Sequence, residues 1–391
     1  MSALLAATVA AALAAAAPVT PAPFTPEPRP GSATAVTATA TASAPASPVP
    51  VAAPPAPAGA PARFRILEAG RWGYIDASGK VVIAPRFARA ADFSEGLAAV
   101  LDGKTFGYVD PAGKMVLVPP YPPERSLHRP FLDGRAVVTV GARDGAIDRE
   151  GRLAIPARFD SIEDYSEGYA LACDEEGCGW VDQAGRRRLG PAGMGGTPMR
   201  GGVATGWMAM GMGRKRAFLF SLDAGGLPEE YEETGNHAEG LVPVRLDRAW
   251  GYADSQGRPS IPLQFAWAGD FSGGLAPARK DRLRCGYIDR TGAFAVPERF
   301  RECRPFAAGL ARVDLGGESD APRVGFIDRA GKVVIVGREA EPPFDTALDF
   351  VNGLAAVGQG GAVATVGPEA PTGPRLGYVD RTGRYVWKPT R

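Results

Sequence analysis

The chain reads as all-β: tandem repeats of about three antiparallel strands forming a β-solenoid or a propeller-like array. Three observations predict this. A turn motif, Asp-x-x-Gly, recurs nine times at steps of about 31 to 41 residues, with a last step of about 52, a period typical of solenoids, propellers and arrays. Glycine and proline are abundant, at 51 and 37 of 391 residues. So many backbone punctuators argue against long helices and for short strands joined by turns. The segments between turns are short and rich in β-branched and aromatic residues, as strands are.

The N-terminus has a composition of its own. Residues 2–17 are almost all Ala, Leu and Val. That run is too short to cross a bilayer as a helix, which needs about 20 residues. With an Ala-x-Ala pattern over residues 14–17 it reads as a signal peptide, residues 1–17. No Lys or Arg precedes it, which a misassigned start codon would explain; the alternative is an Ala-rich tail. Residues 18–62 are Pro, Ala, Thr, Ser and Val with one aromatic, Phe24. Such a segment cannot bury enough surface to fold, and its prolines bias it toward an extended, semi-rigid tether. The repeat array occupies residues 63–391.

The first repeat is the clearest. Gly73-Tyr74-Ile75-Asp76 is a short strand. Asp76 opens a turn, because its carboxylate can accept from backbone N–H groups two residues on. Gly79 closes it where a positive φ is needed. Lys80 to Ile83 is the second strand, ending at Pro85, which cannot donate to a ladder. Phe87 and Phe93 pin a connecting loop or helical turn to the core. The Ser94-Glu95-Gly96 corner starts a third strand, Leu97 to Val100, which returns through Asp102-Gly103-Lys104 into the next repeat. One such unit cannot bury both its faces, so neighbours must complete the core. The Trp and Tyr positions are therefore expected between units. The turn pairs are Asp76/Gly79, Asp110/Gly113, Asp148/Gly151, Asp182/Gly185, Asp223/Gly226, Asp254/Gly257, Asp289/Gly292, Asp328/Gly331 and Asp380/Gly383.

These residues resemble the WG repeat family, also described as the KWG repeat. The pattern is Trp-Gly-Tyr-Ile-Asp, two residues, Gly-Lys, an apolar strand, Pro, then Phe-Ser-Glu-Gly-Leu-Ala. It is nearly complete from Trp72-Gly73 to Val100 and from Trp250-Gly251 to Ala278. It persists without the Trp from Cys285 and from Val324, and fades between Cys178 and Val244. The last unit, from Leu376, keeps only its first half. The resemblance implies a bacterial, often exported repeat protein, and it offers no catalytic residues to carry over.

Few residues suit chemistry. The two histidines, His128 and His237, have no metal-ligand spacing to each other or to a cysteine, and His237 stands where other units place Phe. Glu229, Glu230, Glu232 and Glu233 read as an exposed acidic loop. One turn carboxylate per unit is too few for calcium's six to eight oxygens. Met208, Met210 and Met212 alternate as a flexible core filling would. No cofactor, metal or catalytic residue is therefore expected. The cysteines are more informative. Cys173 and Cys178 flank a predicted hairpin turn, where facing residues can reach disulfide geometry. Cys285 takes the Trp position of its unit and Cys303 replaces the small residue equivalent to Ala90, so a bond there could stand in for the lost aromatic. An even cysteine count in an exported chain favours both pairs.

A net charge of +1 lacks the basic excess of a nucleic-acid binder. The expected function is a non-catalytic module of the periplasm, cell envelope or extracellular space that binds protein, peptide or glycan, with no transmembrane span. The rivals are a cell-wall hydrolase and a passive spacer. The insertions at Pro119 to Pro130 and Gly358 to Pro374 are the expected binding edge.

Overall fold

In a computed structural model, residues 61–121, 129–193, 195–209, 215–281, 283–316, 323–359 and 375–390 can be described. The turn chemistry reads through directly. Asp76 Oδ1 accepts from the backbone N–H of Ser78 at 2.9 Å and of Lys80 at 3.1 Å. The same two bonds recur at Asp110, Asp148, Asp182, Asp254, Asp289, Asp328 and Asp380. The glycines that close these turns, Gly79, Gly113, Gly151, Gly185, Gly257, Gly292, Gly331 and Gly383, have the expected positive φ, 73–88°. Each donates its N–H to the carbonyl of its aspartate at 2.8–3.0 Å.

Each turn joins two antiparallel strands, and a third strand joins through the preceding hairpin. The result is nine small antiparallel sheets, the blades of a nine-bladed β-propeller. They span residues 64–87, 89–117, 136–159, 161–193, 195–231, 233–265, 267–300, 302–336 and 346–390, called blades 1 to 9 below. Most open with a two-residue strand, such as Arg89–Ala90 in blade 2. The only helical element among the described residues is one 3-10 turn, Gly337–Glu339.

The sequence repeat and the blade are out of phase. The strands Arg71–Ile75 and Val81–Phe87 finish blade 1, while Arg89–Ala90 and Ala98–Asp102, from the same repeat, open blade 2. Every repeat thus ties two blades together covalently. The half missing from the last repeat is made good by Phe64–Glu68, which pairs with Arg71–Ile75 in blade 1.

Apolar burial follows the seams. The buried clusters each mix side chains from adjoining blades: Leu97, Tyr108, Phe131 and Ile147 across blades 2 and 3, for instance, and Tyr252, Phe271 and Ile288 across 6 and 7. Trp72, Tyr74 and Trp180 are fully buried, so the expected inter-unit aromatics are there. Each such ring contributes roughly 1.5–3 kcal/mol by leaving water.

A repeated interlock marks the seams. Tyr74 of blade 1 donates to the carbonyl of Ala91 in the next blade at 2.6 Å, and its ring meets Phe93 edge-on at 4.8 Å. Tyr108, Tyr252 and Tyr287 do the same toward Arg129, Gly269 and Arg304. In blade 9, Tyr378 donates to the carbonyl of Arg65 in blade 1 at 2.8 Å and packs on Phe64 at 5.4 Å. The first and last blades meet as any two neighbours do, and the ring is closed. The choice between open solenoid and propeller is thereby settled for the propeller.

Four local expectations are corrected. The turn glycines do not serve their turns alone; they also seat each turn against the preceding blade. A Cβ on Gly113, Gly151, Gly185, Gly292, Gly331 or Gly383 would come within 2.7–3.2 Å of Ile83, Leu117, Ile155, Ile261, Val296 or Ile335 respectively. Gly79 meets Val386 of blade 9 in the same way. The carbonyl of Gly257 accepts from the Tyr231 hydroxyl of blade 5 at 3.1 Å. A side chain at these corners would therefore push two blades apart.

The second strand does not stop at Pro85 but runs from Val81 to Phe87. Its register skips at the proline, Tyr74 facing Ile83 and Trp72 facing Phe87, so Pro85 sits in a bulge where no ladder donor is required. In the fifth repeat the turn is not built on Asp223 and Gly226. Ser221 Oγ accepts from the Asp223 N–H at 3.3 Å, and Gly225 has the positive φ, 75°; a hydroxyl can perform the carboxylate's role. The glutamate cluster is not a loop. Glu229 and Glu230 lie in the strand Gly225–Tyr231, Glu233 lies in Glu233–Thr234, and Glu232 and Glu233 pair with Arg245 at 3.3 and 2.8 Å.

Candidate binding groove

The cysteines pair as expected. Cys173 faces Cys178 across the hairpin of blade 4, and their sulfurs bond. Cys285 bonds Cys303. That second bond lies within one sequence repeat, yet it joins blade 7 to blade 8. It takes the place of the aromatic contact that Trp72 makes near Ala90 in the first repeat's seam.

Of the histidines, His128 lies outside the described residues, as do Met210 and Met212 and most of both insertions expected to form the binding edge. His237 is buried, with Nε2 2.9 Å from Ser255 Oγ, and burial lowers its pKa. It packs as a substituted Phe. Met208 is partly exposed and Met199 fully buried. Among the described residues no three His, Cys, Asp or Glu side chains are placed to hold a metal ion, and no helix is long and apolar enough to cross a membrane.

A groove of about 690 Å³ lies over blades 6 to 8. Trp250 and Trp267 form its apolar part, with Pro243, Pro277 and Pro305 beside them, and Arg279, Arg301 and Arg304 border it. Trp267 occupies the first position of the short opening strand, Trp267–Ala268, where blade 2 has Arg89. The guanidinium of Arg279 stacks on it, 5.4 Å from the ring centroid, a contact worth about 0.5–1 kcal/mol or more as water is excluded. Arg279 also donates to the Arg301 carbonyl at 3.2 Å, while its Nε is buried without a partner.

Local backbone chemistry makes room for this groove. Pro277 stands where blade 2 has Ala99, and proline is tolerated there because what the position supplies is its carbonyl, which accepts from the Gly269 N–H at 2.9 Å as that of Ala99 accepts from Ala91. A Cβ on Gly269 would come within 3.0 Å of the Pro277 ring and 3.1 Å of the Trp267 ring, so a side chain there would displace one of the two rings by a few tenths of an ångström.

The carboxylates bordering the groove are already engaged. Asp270 accepts from the N–H and side-chain amide of Asn236 at 3.0 and 2.9 Å. Glu302 pairs with Arg304 at 2.8 Å. Asp314 accepts from the N–H groups of Gly316 and Arg323. What remains is an aromatic and proline surface edged by polar groups of balanced charge. A second concavity, of about 500 Å³ over blades 3 and 4, is lined by Arg143, Arg158, Asp174 and Arg187. There Arg187 and Asp174 pair at 2.7 Å.

Five stretches of the chain, residues 72–105, 145–177, 250–283, 286–318 and 325–361, match the WG containing repeat. The chain belongs to the WG-repeat family. No curated protein matches it. Among solved structures it is similar to KlHsv2 with loop 6CD replaced by a Gly-Ser linker, at 8% identity over 63% of this chain and 88% of that one, TM-score 0.38. It is also similar to dihydro-heme d1 dehydrogenase NirN in complex with DHE, at 12% identity over 86% of this chain and 76% of that one, TM-score 0.41. A third, HIRA(644-1017), aligns at 10% identity over 35% of this chain and 50% of that one, TM-score 0.24. Likenesses this distant carry no argument about function.

The WG-repeat signature has a structural reason in this ring. A Cβ on Gly73 would lie 2.5 Å from the carbonyl oxygen of Ile83 and 2.7 Å from the nitrogen of Pro85. The proline bulge presses onto the glycine, so the two belong together although twelve residues separate them along the chain. The groove residues Trp267, Arg279 and Arg304 were not among those singled out from the sequence. One signal was available: Trp267 is an aromatic where the other repeats carry small or polar residues.

Proposed function

We propose that this WG-repeat ring is a non-catalytic binding module of the cell envelope or extracellular space, and that its ligand is an uncharged glycan strand held in the groove of blades 6 to 8. The observation that carries this reading is the partly exposed Trp267, fixed by Arg279 beside Trp250 and rimmed by three arginines and three carboxylates whose charges balance, each carboxylate being hydrogen-bonded or ion-paired. An indole offers sugar C–H faces an apolar platform, and paired polar groups at the rim supply hydrogen bonds without favouring a charged ligand. Support for a compartment outside the cytoplasm comes from the two disulfides, which persist in oxidising environments. Support for binding over hydrolysis comes from the engaged state of Asp270, Glu302 and Asp314, none of which is held ready as a free acid or base.

The test is a titration of the intact chain with cell-wall glycan fragments, followed by tryptophan fluorescence. The expected result is saturable binding that Trp267→Ala weakens at least ten-fold while the unfolding transition is retained. Equal affinity in that variant would remove the groove from consideration. Release of new reducing ends on long incubation would favour the hydrolase.

A further inference from the structure

The corners that open the long strands form a second pattern, independent of the groove. Each is a pair of residues with positive φ: Glu167 and Gly168 at 54° and 81°, Glu239 and Gly240 at 51° and 82°, Gly273 and Gly274 at 63° and 78°. Two successive N–H groups point out of such a pair and make a small anion-binding concavity. In much of the ring the previous corner's acid fills it. Glu167 of blade 4 takes the N–H groups of Gly201 and Gly202 at 2.7 and 3.0 Å. Glu239 of blade 6 takes those of Gly273 and Gly274 at 2.6 and 3.0 Å. Glu95 reaches Gly134 at 3.1 Å, and Asp133 reaches Gly168 at 2.8 Å.

An arginine completes the arrangement. It follows the turn aspartate of the next blade and lies over the corner that supplies the acid. Arg149 bonds the carboxylate of Glu95 at 3.1 Å and its carbonyl at 2.7 Å. Arg290 bonds the carbonyl of Glu239 at 2.7 Å.

Blades 7 and 8 keep the arginines and lose the acids. Gly273 and Ala308 stand where Glu95, Glu167 and Glu239 stand elsewhere. The corners they would have served retain the same backbone: Ala308 and Gly309 have φ of 50° and 83°, Asn352 and Gly353 of 50° and 89°. Among the described residues no carboxylate meets their N–H groups. Arg329 and Arg381 remain in the arginine position. A Cβ on Gly274 would lie 3.3 Å from the Arg329 guanidinium, and one on Gly309 would lie 3.0 Å from that of Arg381. Both arginines are exposed, as are Ala308 and Asn352. The N–H pairs of Glu239/Gly240 and Glu95/Gly96 also receive no acid from the previous corners, Gly201 and Asn352, but each of these corners carries a carboxylate of its own, with Arg290 at 3.8 Å and Arg149 at 3.1 Å from it.

We propose that these two adjacent corners are a binding site for an acidic peptide segment, whose Glu or Asp side chains replace the two missing carboxylates. The ring itself provides the precedent, since the group bound at the sister corners is a polypeptide carboxylate on two backbone N–H groups. At the sister positions a single glutamate side chain spans from its own corner to the next, and alternate side chains of an extended peptide lie on one face about 7 Å apart, a spacing that suits one strand presenting a carboxylate to each corner. Charge-assisted bonds of this kind are about twice as strong as neutral ones.

The experiment measures fluorescence anisotropy of a dye-labelled hexaglutamate with the intact chain, against hexaglutamine and against polygalacturonate. The expected outcome is saturable binding of hexaglutamate, at least ten-fold tighter than hexaglutamine. Two double variants test the assignment. Gly273→Glu with Ala308→Glu supplies the missing acids from within, at φ values that Glu167 and Glu239 already adopt, and should abolish binding while leaving the unfolding transition unchanged or raised. Arg329→Ala with Arg381→Ala should weaken binding at least ten-fold. Trp267→Ala should leave it unaltered, which separates this site from the groove. Unchanged hexaglutamate binding in the Gly273→Glu, Ala308→Glu variant, no binding at all, or preference for polygalacturonate would each overturn the proposal.

Discussion

The seam between blades 1 and 2 and the seam between blades 9 and 1 use the same parts in different settings. At the first, Tyr74 bonds the carbonyl of Ala91 and packs on Phe93, and the chain itself crosses the seam between Phe87 and Arg89. At the second, Tyr378 bonds the carbonyl of Arg65 and packs on Phe64, but no chain crosses; the partners lie 313 residues apart. Within the repeats, covalent continuity places the tyrosine beside its acceptor. At the closing seam, that placement depends on non-covalent contacts alone. A third seam, between blades 7 and 8, has both chain continuity and the Cys285–Cys303 bond. The three form a graded series, and the comparison can be broken at each.

The largest effect is expected at the closing seam. Tyr378→Ala removes a fully engaged aromatic and should cost about 3–5 kcal/mol, as large-to-small core changes do. It should also raise the hydrogen-exchange rate of Phe64–Glu68 and Arg375–Asp380 above that of the rest of the ring. Tyr74→Ala should cost a similar amount without that local opening. Equal exchange profiles in the two variants would show that closure is no weaker than an internal seam.

Next in size is the covalent seam. Removing Cys285–Cys303, whose partners are 18 residues apart, should lower stability by about 3 kcal/mol in denaturant unfolding. The Cys173–Cys178 bond spans only five residues and should contribute less, because a short loop has less closure entropy to lose. A smaller change, Tyr378→Phe, leaves the packing but strands the Arg65 carbonyl and should cost about 1–3 kcal/mol. Gly113→Ala belongs near the same range, at about 1–2 kcal/mol for a left-handed residue, because Gly113 has φ 83° and a Cβ there would lie 3.0 Å from Ile83 of the preceding blade.

The smallest effect is that of pH. The hydroxyl of Ser78 holds the Asp76 carboxyl below the usual carboxylate range, and Thr291 does so for Asp289. A depressed folded value means these turns stabilise the ring fully above the unfolded carboxylate pKa, about 3.9, and lose that contribution as pH falls through the folded value. Thermal unfolding measured between pH 5 and pH 2 should therefore show a falling midpoint. Asp76→Asn should flatten the curve only slightly, since one exposed turn of eight is altered.

Much of the fold was legible because its signals are contiguous. Asp76 and Gly79 meet within one turn, and Cys173 and Cys178 face one another across one hairpin. The second role of the turn glycines was not legible, because the side chains they make room for, such as Leu117 against Gly151 and Val296 against Gly331, belong to the blade before. Pro85 has the local look of a strand end, because the bulge that accommodates it depends on Gly73 of the neighbouring strand. The fifth turn was displaced because Ser221 replaces the carboxylate that marks the others. The groove was largely hidden: Trp267 and Arg279 are twelve residues apart in the chain and become a stacked pair only when the strands Trp267–Ala268 and Ala276–Arg279 are side by side. The arginine corners were hidden for a different reason. Ala308 means nothing by itself; its departure matters only once Glu167 and Glu239 are seen filling the equivalent place.

The amino-acid order alone determined the β class, nine turn-bearing repeats, the need of each repeat for neighbours, and the pairing of Cys173 with Cys178, since turn chemistry and hairpin pairing act over a few residues; the Cys285–Cys303 pairing was legible only through the equivalence of those positions to Trp72 and Ala90 in the first repeat. Only the tertiary structure decided that the array closes, that blade and repeat are out of phase, and which corners lack their acid. Closure sums a small rotation at every seam, and nine such rotations bring Tyr378 to Arg65 through contacts that no local stretch of chain encodes.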